Sequence, residues 1–376
     1  IGTLGVSGIN YKKKISNTTY DPIQLNNIFR ILNKNKINNV ILEASSHGLK
    51  QSRLDGLLFD LGIFTNLSRD HLDYHKTFKD YFNSKLILFR KLMKKKSSII
   101  FDEDLNIAKK IKNISKNKNL KTLSIGLNNS DLKIIEHKCV NLDQQIKFLY
   151  KNKIYSFSTN LIGKVQIKNL IMSILAAYKS NIKFKNILNS INKIKPVSGR
   201  FEKIGNLRNN SIVILDYAHT PDALKVCLTN LKDQFPLKKL NIVFGCGGER
   251  DIPKRKIMGR ISNTYCDKIY LTDDNPRKES PKKIRNQIKV QINMKKLIEI
   301  SSRELAIKTA VQNIKSDEIL VVAGKGHETY QEYKKKKYFS DKDCILKSIK
   351  EKNYKLNKNW KVNIIEEKLR NKLNNK

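Results

Sequence analysis

The sequence predicts an α/β protein whose mostly parallel sheets are divided between two domains. Its 376 residues exceed what one hydrophobic core usually organises. Short apolar runs end in polar loops and alternate with helical patterns, which is typical of parallel strands connected by helices. Pro196 and Gly199 lie close together near the middle of the chain and indicate a linker. We therefore predict domains over 1–196 and 197–376.

Each predicted strand is an apolar run that ends in polar residues. These runs lie at 40–48, 61–71 and 97–104 in the first domain and at 212–224, 240–251, 268–277 and 319–328 in the second. Residues 132–160 alternate polar and apolar side chains, which predicts antiparallel strands, and 164–180 shows a helical pattern. The charged residues after about 355 predict an irregular C-terminal end. Ligands of doubly wound sheets bind beyond the carboxyl ends of the strands, so we expect the sites at these polar loops.

The charge of the chain is strongly positive, with 75 lysine and arginine residues, 34 acidic residues and a formal net charge of +41. A nucleic-acid-binding protein is one interpretation. However, the lysines are mixed with asparagine and isoleucine throughout, and no zinc-finger or RNP-like motif accompanies them. We favour codon drift in an AT-rich genome and expect no nucleic-acid partner.

Two further features bear on the compartment of the protein. No apolar run approaches the ~20 residues that a membrane helix needs, so we expect no membrane insertion. The five cysteines are scattered without a CxxC pair, which fits a reducing cytoplasm better than a disulfide framework.

A first group of polar residues follows two predicted strands of the first domain. Glu43 and the Ser45-Ser46-His47 segment follow one strand, and Arg69-Asp70-His71 follows the next. A carboxylate and an imidazole at adjacent strand ends can share a divalent ion. A capped loop of solvated side chains explains the same spacing equally well.

Lys85 lies on an apolar stripe of a predicted helix. The stripe consists of Phe78, Phe82, Phe89 and Leu92, at steps of three, four and seven residues. A lysine on a buried face is destabilising unless it is paired or chemically changed. The alternative is an edge lysine that extends to solvent along its aliphatic stem.

A second group of polar residues follows four predicted strands of the second domain. Thr220 and Pro221 predict a helix start, which places Asp216 and His219 in a loop suited to phosphate. Arg250 lies in the glycine-rich segment GCGGERD, and the loops DDNPR and AGKGHETY follow two further strands. Four polar loops at the strand ends of one sheet predict a binding cleft. The P-loop motif GxxxxGK[ST] does not occur.

Seven segments occur in one order along the chain: EASSHGLKQSR, FTNLSRDHLDYH, SGRFE, DYAHTPDAL, FGCGGERD, DDNPR and AGKGHETYQ. Together they resemble the Mur ligases, and among these the members that add diaminopimelate. The resemblance extends from Ile1 to about residue 350 and implies a central ATPase domain followed by a Rossmann-like C-terminal domain. The family's N-terminal uridine-binding domain and P-loop have no counterpart in this sequence. We therefore expect a part of a longer chain that is inactive by itself.

The resemblance implies ATP-driven amide formation in cytoplasmic peptidoglycan precursor synthesis. The D-glutamyl carboxylate of a UDP-muramoyl dipeptide attacks the γ-phosphate of ATP and gives an acyl phosphate. The amine of meso-diaminopimelate then displaces phosphate through a tetrahedral intermediate. Mg²⁺ and cationic groups offset the charge that develops on the phosphoryl oxygens.

The resemblance also implies a role for individual residues. The expected contacts to the muramoyl dipeptide are Asn17, Thr18, Thr19, Ser45, Gln51 and Arg53. The expected catalytic and magnesium-binding groups are Glu43, His71 and Lys85, the last as a carbamate. The expected ATP contacts are Asn169, Arg200, Asp216 and His219, although Gln166 replaces the family's preceding asparagine. The expected diaminopimelate contacts are Arg250, Asp274, Asn275, Pro276, Arg277, Gly324 and Glu328.

The loop at 272–281 is expected to select the amino acid. Diaminopimelate carries a second carboxylate and ammonium at its far end, and Arg277 offers a fork for that carboxylate. Asp274 and Glu328 can balance the ammonium. A lysine-adding Mur ligase is the first alternative, although such members typically lack this arginine. An inactive remnant is the second. We expect a monomer.

Overall fold

The structure, a computed structural model, describes residues 1–8, 17–140 and 142–374. It divides into two compact units. The first unit contains Ile1–Asn160 and Val165–Ile194, and the second contains Leu161–Lys164 and Lys195–Lys376. The division after Ile194 lies close to the predicted linker. The inclusion of Leu161–Lys164 in the second unit was not predicted.

Within the described residues, the first unit contains a six-stranded sheet whose strands follow chain order. The first four strands are parallel, and the last two pair antiparallel. The strands are β1 (Phe59–Phe64), β2 (Met93–Asp102), β3 (Lys121–Gly126), β4 (Leu132–Val140), β5 (Asp143–Tyr150) and β6 (Lys153–Thr159). The helices are α1 (Pro22–Lys34), α2 (Ser46–Lys50), α3 (Leu72–His75), α4 (Phe78–Lys91), α5 (Ala108–Asn117), α6 (Lys164–Lys179) and α7 (Phe184–Ser190), with a short 3-10 helix at Ile191–Lys193.

Most sequence predictions for this unit are confirmed, and two are wrong. The antiparallel strands at 132–160 and the helix at 164–180 are present as β4 to β6 and α6. The strand predicted at 40–48 is absent: residues 40–45 form no strand, and the segment then enters α2. Its backbone bonds join Ile41 and Glu43 to Ile1. No strand in the described part of the chain pairs along the length of this segment, and Ile41 is 86% exposed. Phe78 of the predicted apolar stripe is also exposed, because it begins α4.

The second unit, as far as the structure covers it, contains a six-stranded sheet in the order β11-β10-β9-β12-β8-β7, parallel except for β7. Its strands are β7 (Glu202–Lys203), β8 (Ile212–Asp216), β9 (Lys239–Phe244), β10 (Lys268–Leu271), β11 (Leu297–Glu299) and β12 (Glu318–Ala323). A hairpin follows, formed by β13 (Tyr330–Glu332) and β14 (Lys336–Tyr338). The helices are α8 (Pro221–Gln234), α9 (Lys254–Tyr265), α10 (Pro281–Lys289), α11 (Arg303–Asn313) and α12 (Asp341–Asn374).

The topology of this sheet brings four loops to one edge. Strand β12 inserts between β8 and β9, and β10 lies beyond β9, so the carboxyl ends of these four parallel strands are neighbours. Every residue of β8 and β12 is buried, as expected for strands that helices cover on both faces. The predicted α/β fold with mostly parallel sheets is confirmed. The irregular end predicted after about 355 is wrong, because α12 continues to Asn374.

No helix among the described residues has both the length and the apolar character to cross a membrane.

Candidate functional site

The loop after β10 is held inside the second unit. Asp273, Asp274 and Asn275 are 7%, 8% and 4% exposed, and Pro276 is also buried. The Oδ2 atom of Asp273 accepts a bond from the Tyr333 hydroxyl over 2.9 Å, and its Oδ1 pairs with the Arg285 guanidinium. Buried polar side chains are stable only when they are bonded in this way. The loop is therefore built into the core.

Arg277 forms the outer end of this loop. Its φ of 55° lies in the left-handed region, which is unfavourable for residues other than glycine and is often found at binding sites. Nη1 donates to the carbonyl of Gly248 over 2.7 Å, and Nε lies 3.3 Å from the Glu332 carboxylate. The side chain is 21% exposed. A fully solvated Arg277, as expected for a simple surface turn, is excluded by this geometry.

The loop after β12 meets the loop after β10. Nδ2 of Asn275 donates to Oε2 of Glu328 over 3.1 Å. Lys325, which is 0% exposed, donates to Oδ1 of Asn275 over 3.0 Å and to Oε2 of Glu328 over 2.9 Å. The Tyr217 hydroxyl also approaches Oε1 of Glu328 at 3.4 Å. Three of the residues expected to bind diaminopimelate, Asn275, Arg277 and Glu328, thus surround one region of the second unit.

Gly324 is required by its close approach to Asp274. Its φ is +113°, and a Cβ built there would lie 2.8 Å from Oδ2 of Asp274. A side chain at this position would be strained and would also collide with the carboxylate. Arg250 lies in the loop after β9 and is exposed. Because β10, β9, β12 and β8 are neighbours in the sheet, the four loops predicted from the sequence lie at one edge of it.

Asp216 ends β8 behind the start of α8. Its Oδ2 accepts from the backbone N–H of Phe201 over 2.8 Å, and its Oδ1 accepts from that of Ala218 over 2.9 Å. Burial raises the pKa of Asp216 to about 6, although these bonds and Arg200 act in the opposite direction. The predicted helix start is confirmed, since the Thr220 side chain caps α8.

The other expected ATP contacts of the second unit lie beside this loop. The Arg200 guanidinium lies 4.5 Å from the centroid of the Tyr217 ring. Nδ1 of His219 lies 2.9 Å from the carbonyl oxygen of Tyr217, and the rings of the two residues are 4.7 Å apart. The fourth expected ATP contact, Asn169, belongs to α6 of the first unit.

A hydrogen-bond network connects several expected substrate contacts in the first unit. Thr19 is 1% exposed; its hydroxyl donates to the Glu43 carbonyl over 2.8 Å and lies 3.0 Å from the Ser45 hydroxyl. Nη1 of Arg53 donates to the Thr19 carbonyl over 2.7 Å, and Nη2 donates to Gln51. The Thr18 hydroxyl lies 3.0 Å from that of Thr3, whereas Asn17 is exposed.

The expected catalytic groups are found in the same unit. The Oε2 atom of Glu43 accepts from the backbone N–H of Thr3 over 2.8 Å and from its hydroxyl over 2.7 Å. His71 has a left-handed φ of 55°, and its Nε2 lies 3.6 Å from Asp70. The rings of His47 and His71 are 4.8 Å apart. Burial, together with its neighbouring histidines, lowers the pKa of His47 to about 4.

Lys85 is half-buried on α4. Its Nζ lies 5.1 Å from the centroid of the Tyr81 ring. Burial lowers the pKa of Lys85, while the charge of Asp70 acts in the opposite direction. A lowered pKa makes the neutral amine easier to form than in an exposed lysine, and this amine is the nucleophile that reacts with CO₂ to give a carbamate.

The fit of this region to Mg²⁺ depends on that modification. Among the residues that the structure describes, no group of three or more His, Cys, Asp or Glu side chains is placed to hold a metal ion. The expected set has two such side chains, Glu43 and His71, and the third ligand would be the carbamate of Lys85. Carboxylate and carbamate oxygens suit Mg²⁺, whereas imidazole is a more usual ligand of transition metals.

Two family descriptions match the chain: "Mur ligase middle domain" over residues 1–177 and "Mur ligase, glutamate ligase domain" over residues 199–326. The UDP-N-acetylmuramoyl-L-alanyl-D-glutamate–2,6-diaminopimelate ligase of Rickettsia bellii is 42% identical over 336 residues, which span 88% of this chain and 70% of that protein. The chain belongs to the Mur ligase family.

Three further Mur ligases are similar to this chain in sequence or in fold. The enzyme of the same name from Wigglesworthia glossinidia brevipalpis is 39% identical over 365 residues, covering 93% of this chain and 71% of that protein. A solved structure of a ligase with this name superposes with a TM-score of 0.61 at 32% identity, covering 89% of this chain and 69% of the other. The MurF ligase of Thermotoga maritima, solved with ADP, shares the fold with a TM-score of 0.59 at 16% identity, covering 79% and 62%.

The structure of this Mur ligase chain adds residues that sequence reasoning did not assign. Lys325 connects two loops, and its only signal in the sequence is its place between Gly324 and Gly326. Arg303 is wholly buried beside Asp274 but begins a helix without any motif. His75 is also 0% exposed, and its Nε2 lies 2.9 Å from the Ser46 hydroxyl. Long-range contacts of this type leave no local pattern.

Proposed function

We propose that this chain catalyses the ATP-dependent addition of meso-2,6-diaminopimelate to UDP-N-acetylmuramoyl-L-alanyl-D-glutamate through an acyl phosphate. The curated relatives that carry this name and the solved ligase of the same name support the proposal. The observation that carries it is the buried loop at 273–277, where Arg277 is fixed beside Glu332 and the carbonyl of Gly248. Residues 1–196 would supply the ATPase part and 197–376 the amino-acid-binding part.

The chemistry of diaminopimelate matches the charges around this loop. Its distal end carries a carboxylate and an ammonium group. Arg277 still has guanidinium capacity to pair with a carboxylate beside its contacts to Gly248 and Glu332. Asp274 and Glu328 supply negative charge for the ammonium. Arg250, Pro276 and Gly324 would complete the pocket, with Gly324 allowing the close approach of the backbone to Asp274.

The muramoyl dipeptide and ATP would use the remaining expected residues. The network of Thr18, Thr19, Ser45, Gln51 and Arg53 would orient the dipeptide, with Asn17 at its exposed end. Arg200, Asp216, His219 and Asn169 are the residues proposed to contact ATP. A relative solved with ADP supports the nucleotide.

Glu43, His71 and carbamylated Lys85 would hold Mg²⁺. When bound, the metal would offset negative charge on the phosphoryl oxygens. The chain's own contribution is to place the D-glutamyl carboxylate and the γ-phosphate close together in a fixed orientation, which reduces the entropic barrier. Burial lowers the pKa of Lys85, which makes the neutral amine that reacts with CO₂ easier to form.

An incorporation assay would test the proposed function. The protein expressed from its natural gene is incubated with the UDP-muramoyl dipeptide, ATP, Mg²⁺ and radiolabelled meso-diaminopimelate or L-lysine. We expect labelled UDP-muramoyl tripeptide from diaminopimelate and far less from lysine. Preference for lysine would support the lysine-adding alternative instead. Absence of product with either amino acid would contradict a ligase function.

A further inference from the structure

A wholly buried arginine lies behind the loop that follows β10. Arg303 begins α11 and is 1% exposed. Its Nε and Nη2 donate to the two carboxylate oxygens of Asp341 over 2.8 and 2.7 Å, a bidentate pair with fixed geometry. Nη2 also donates to the carbonyl of Ala323 over 2.9 Å. One guanidinium therefore joins the starts of α11 and α12 to the end of β12.

The remaining nitrogen of this guanidinium faces the carboxylate of Asp274. Nη1 of Arg303 lies 3.8 Å from Oδ2 of Asp274, which is within ion-pair distance but too long for a hydrogen bond. Among the described residues neither atom has a hydrogen-bond partner, although both are buried. The positive charge of Arg303 thus balances the carboxylate of Asp274 without a hydrogen bond to its Oδ2 atom. Burial alone would lower the pKa of Arg303, but Asp341 and Asp274 outweigh it and raise this pKa.

The backbone beside Asp274 is fixed by the same cation. Ala323, whose carbonyl Arg303 binds, directly precedes Gly324. Gly324 is the residue whose Cβ would lie 2.8 Å from Oδ2 of Asp274. Arg303 therefore contacts both loops: it binds the carbonyl before Gly324 in one and lies beside the carboxylate of Asp274 in the other. Asp341 is 0% exposed, and both of its carboxylate oxygens accept bonds from Arg303.

We propose that Arg303 is a positioning residue for recognition of the distal ammonium group of the incoming amino acid, and that Asp341 holds it for this task. The inference rests on the proposed function. Arg303 acts through Asp274 and does not touch the ligand. A buried carboxylate without a cation either takes up a proton or turns towards water. Protonation would remove the negative charge that attracts the ammonium, and rotation would move that charge away from it.

The test replaces both members of the buried ion pair. The double variant Arg303→Met/Asp341→Leu avoids an uncompensated buried charge, because paired replacement by apolar residues is often tolerated. Circular dichroism and the melting temperature check the fold. Binding of two ligands is then measured by calorimetry or saturation-transfer NMR: meso-diaminopimelate, and 2-aminopimelate, which keeps the distal carboxylate but lacks the distal ammonium.

We expect the unmodified chain to prefer diaminopimelate by about tenfold or more, the usual effect of a bond to a charged group. In the folded double variant this preference should fall to about unity, with a smaller change in 2-aminopimelate binding. Lys352→Met is the matched control: Lys352 is a buried cation on the same helix, α12, but binds the carbonyls of Gln312 and Ile314. It should keep the preference.

A folded double variant that retains the preference would overturn this inference alone. L-Lysine is titrated as a third ligand, and an unmodified chain that binds diaminopimelate no better than lysine would overturn the proposed specificity, and this inference with it. If the double variant does not fold, Asp341→Asn preserves the side-chain shape while it removes the charge that holds Arg303. It should reduce the preference as well, and an unchanged preference in this variant would count against the inference.

Discussion

Asn275 donates from Nδ2 to Oε2 of Glu328 over 3.1 Å. This bond connects the loops after β10 and β12, two strands that β9 separates in the sheet. Lys325 reinforces it by donating to both side chains from a fully buried position. Polar groups that satisfy one another away from water hold a rigid geometry. The proposed amino-acid pocket is therefore largely formed before any ligand arrives.

Asn275→Ala should weaken diaminopimelate binding. The substitution removes the bonds to Glu328 and Lys325, and it also leaves the backbone N–H of Glu332 without its 2.9 Å acceptor. Bonds to charged groups are worth about 1.5–3 kcal/mol, so the Kd measured by calorimetry should rise roughly tenfold to a hundredfold. Asn286→Ala, at an exposed position of α10, should leave the Kd unchanged. Equal Kd values for the two variants would contradict a role of Asn275 in the pocket.

Arg277→Ala should affect diaminopimelate far more than ATP. If Arg277 pairs with the distal carboxylate, its loss leaves a partly buried carboxylate without its cation, which costs about 2 kcal/mol or more. The KM for diaminopimelate should rise by about tenfold to several hundredfold. The KM for ATP should barely change, since none of the proposed ATP contacts lies in the loop that follows β10. Steady-state kinetics of the protein expressed from its natural gene would measure both values.

A matched control separates recognition from loop structure in this experiment. Lys278 follows Arg277 and is exposed, so Lys278→Ala removes a neighbouring charge without the proposed contact. It should leave both KM values as they are. If Arg277 only stabilises the loop through Gly248 and Glu332, its variant would melt at a lower temperature but show an ordinary KM for diaminopimelate. That result would end the proposal for Arg277.

Four strands of the second unit were predictable because each is a continuous or nearly continuous buried run. Strands β8, β9, β10 and β12 coincide with apolar segments, and Thr220 and Pro221 mark the start of α8 by their own local chemistry. The segment at 40–48 has an equally apolar pattern but forms no strand. A strand needs a neighbour that pairs along its length, and no pattern within the segment reports whether that neighbour is present.

The residues of the candidate site were predictable only as members of motifs. The sequence places Asp274 and Glu328 in two separate loops, and the order of the strands in the sheet brings these loops together. Arg303 shows the limit of such reasoning. It begins an ordinary helix far along the chain from Asp274, and its burial beside that residue follows from how α11 packs. Sequence periodicity therefore identifies elements better than it identifies the partners of a buried charge.

Asp216 should make the stability of the protein depend on pH between about 4 and 6. Its pKa of about 6 in the folded state exceeds the ordinary value of 3.8. The folded state therefore binds more protons in this window, and the free energy of unfolding should decrease as pH rises through it. At 1.36 kcal/mol per pKa unit the decrease is at most about 3 kcal/mol. The decrease is complete near pH 7, because Asp216 is then ionised in both the folded and the unfolded state.

Asp216→Asn removes this titration. The loss of one backbone bond lowers the free energy of unfolding of the variant by the same amount at every pH. The difference between the two free energies of unfolding, variant minus unmodified chain, should therefore rise by about 2–3 kcal/mol from pH 4 to pH 7. Urea unfolding followed by circular dichroism at several pH values would measure the difference. Asp222→Asn changes an exposed carboxylate of α8 and should not show this rise. Parallel curves for Asp216→Asn and the unmodified chain would rule out the shifted ionisation.

Lys85 should carry a carbamate when CO₂ is present. Burial lowers the pKa of Lys85, so its neutral amine persists to a lower pH than that of an exposed lysine, and the neutral amine is the form that attacks CO₂. In ¹³C-labelled bicarbonate we expect an NMR carbamate signal that Lys85→Ala loses. Lys91→Ala, at an exposed position of the same helix, should keep it.

The loss of this group should also stop catalysis in the protein expressed from its natural gene. Lys85→Ala should reduce acyl-phosphate formation by about a hundredfold or more, the usual scale for removing a group that stabilises transition-state charge, while the melting temperature stays close to that of the unmodified protein. Short carboxylic acids in the buffer should partly restore the rate, because they can occupy the space of the carbamate. The competing account makes Lys85 an edge lysine that only covers the Tyr81 ring at 5.1 Å. That account predicts no carbamate signal from Lys85 and a near-normal rate in Lys85→Ala, and either observation would decide in its favour.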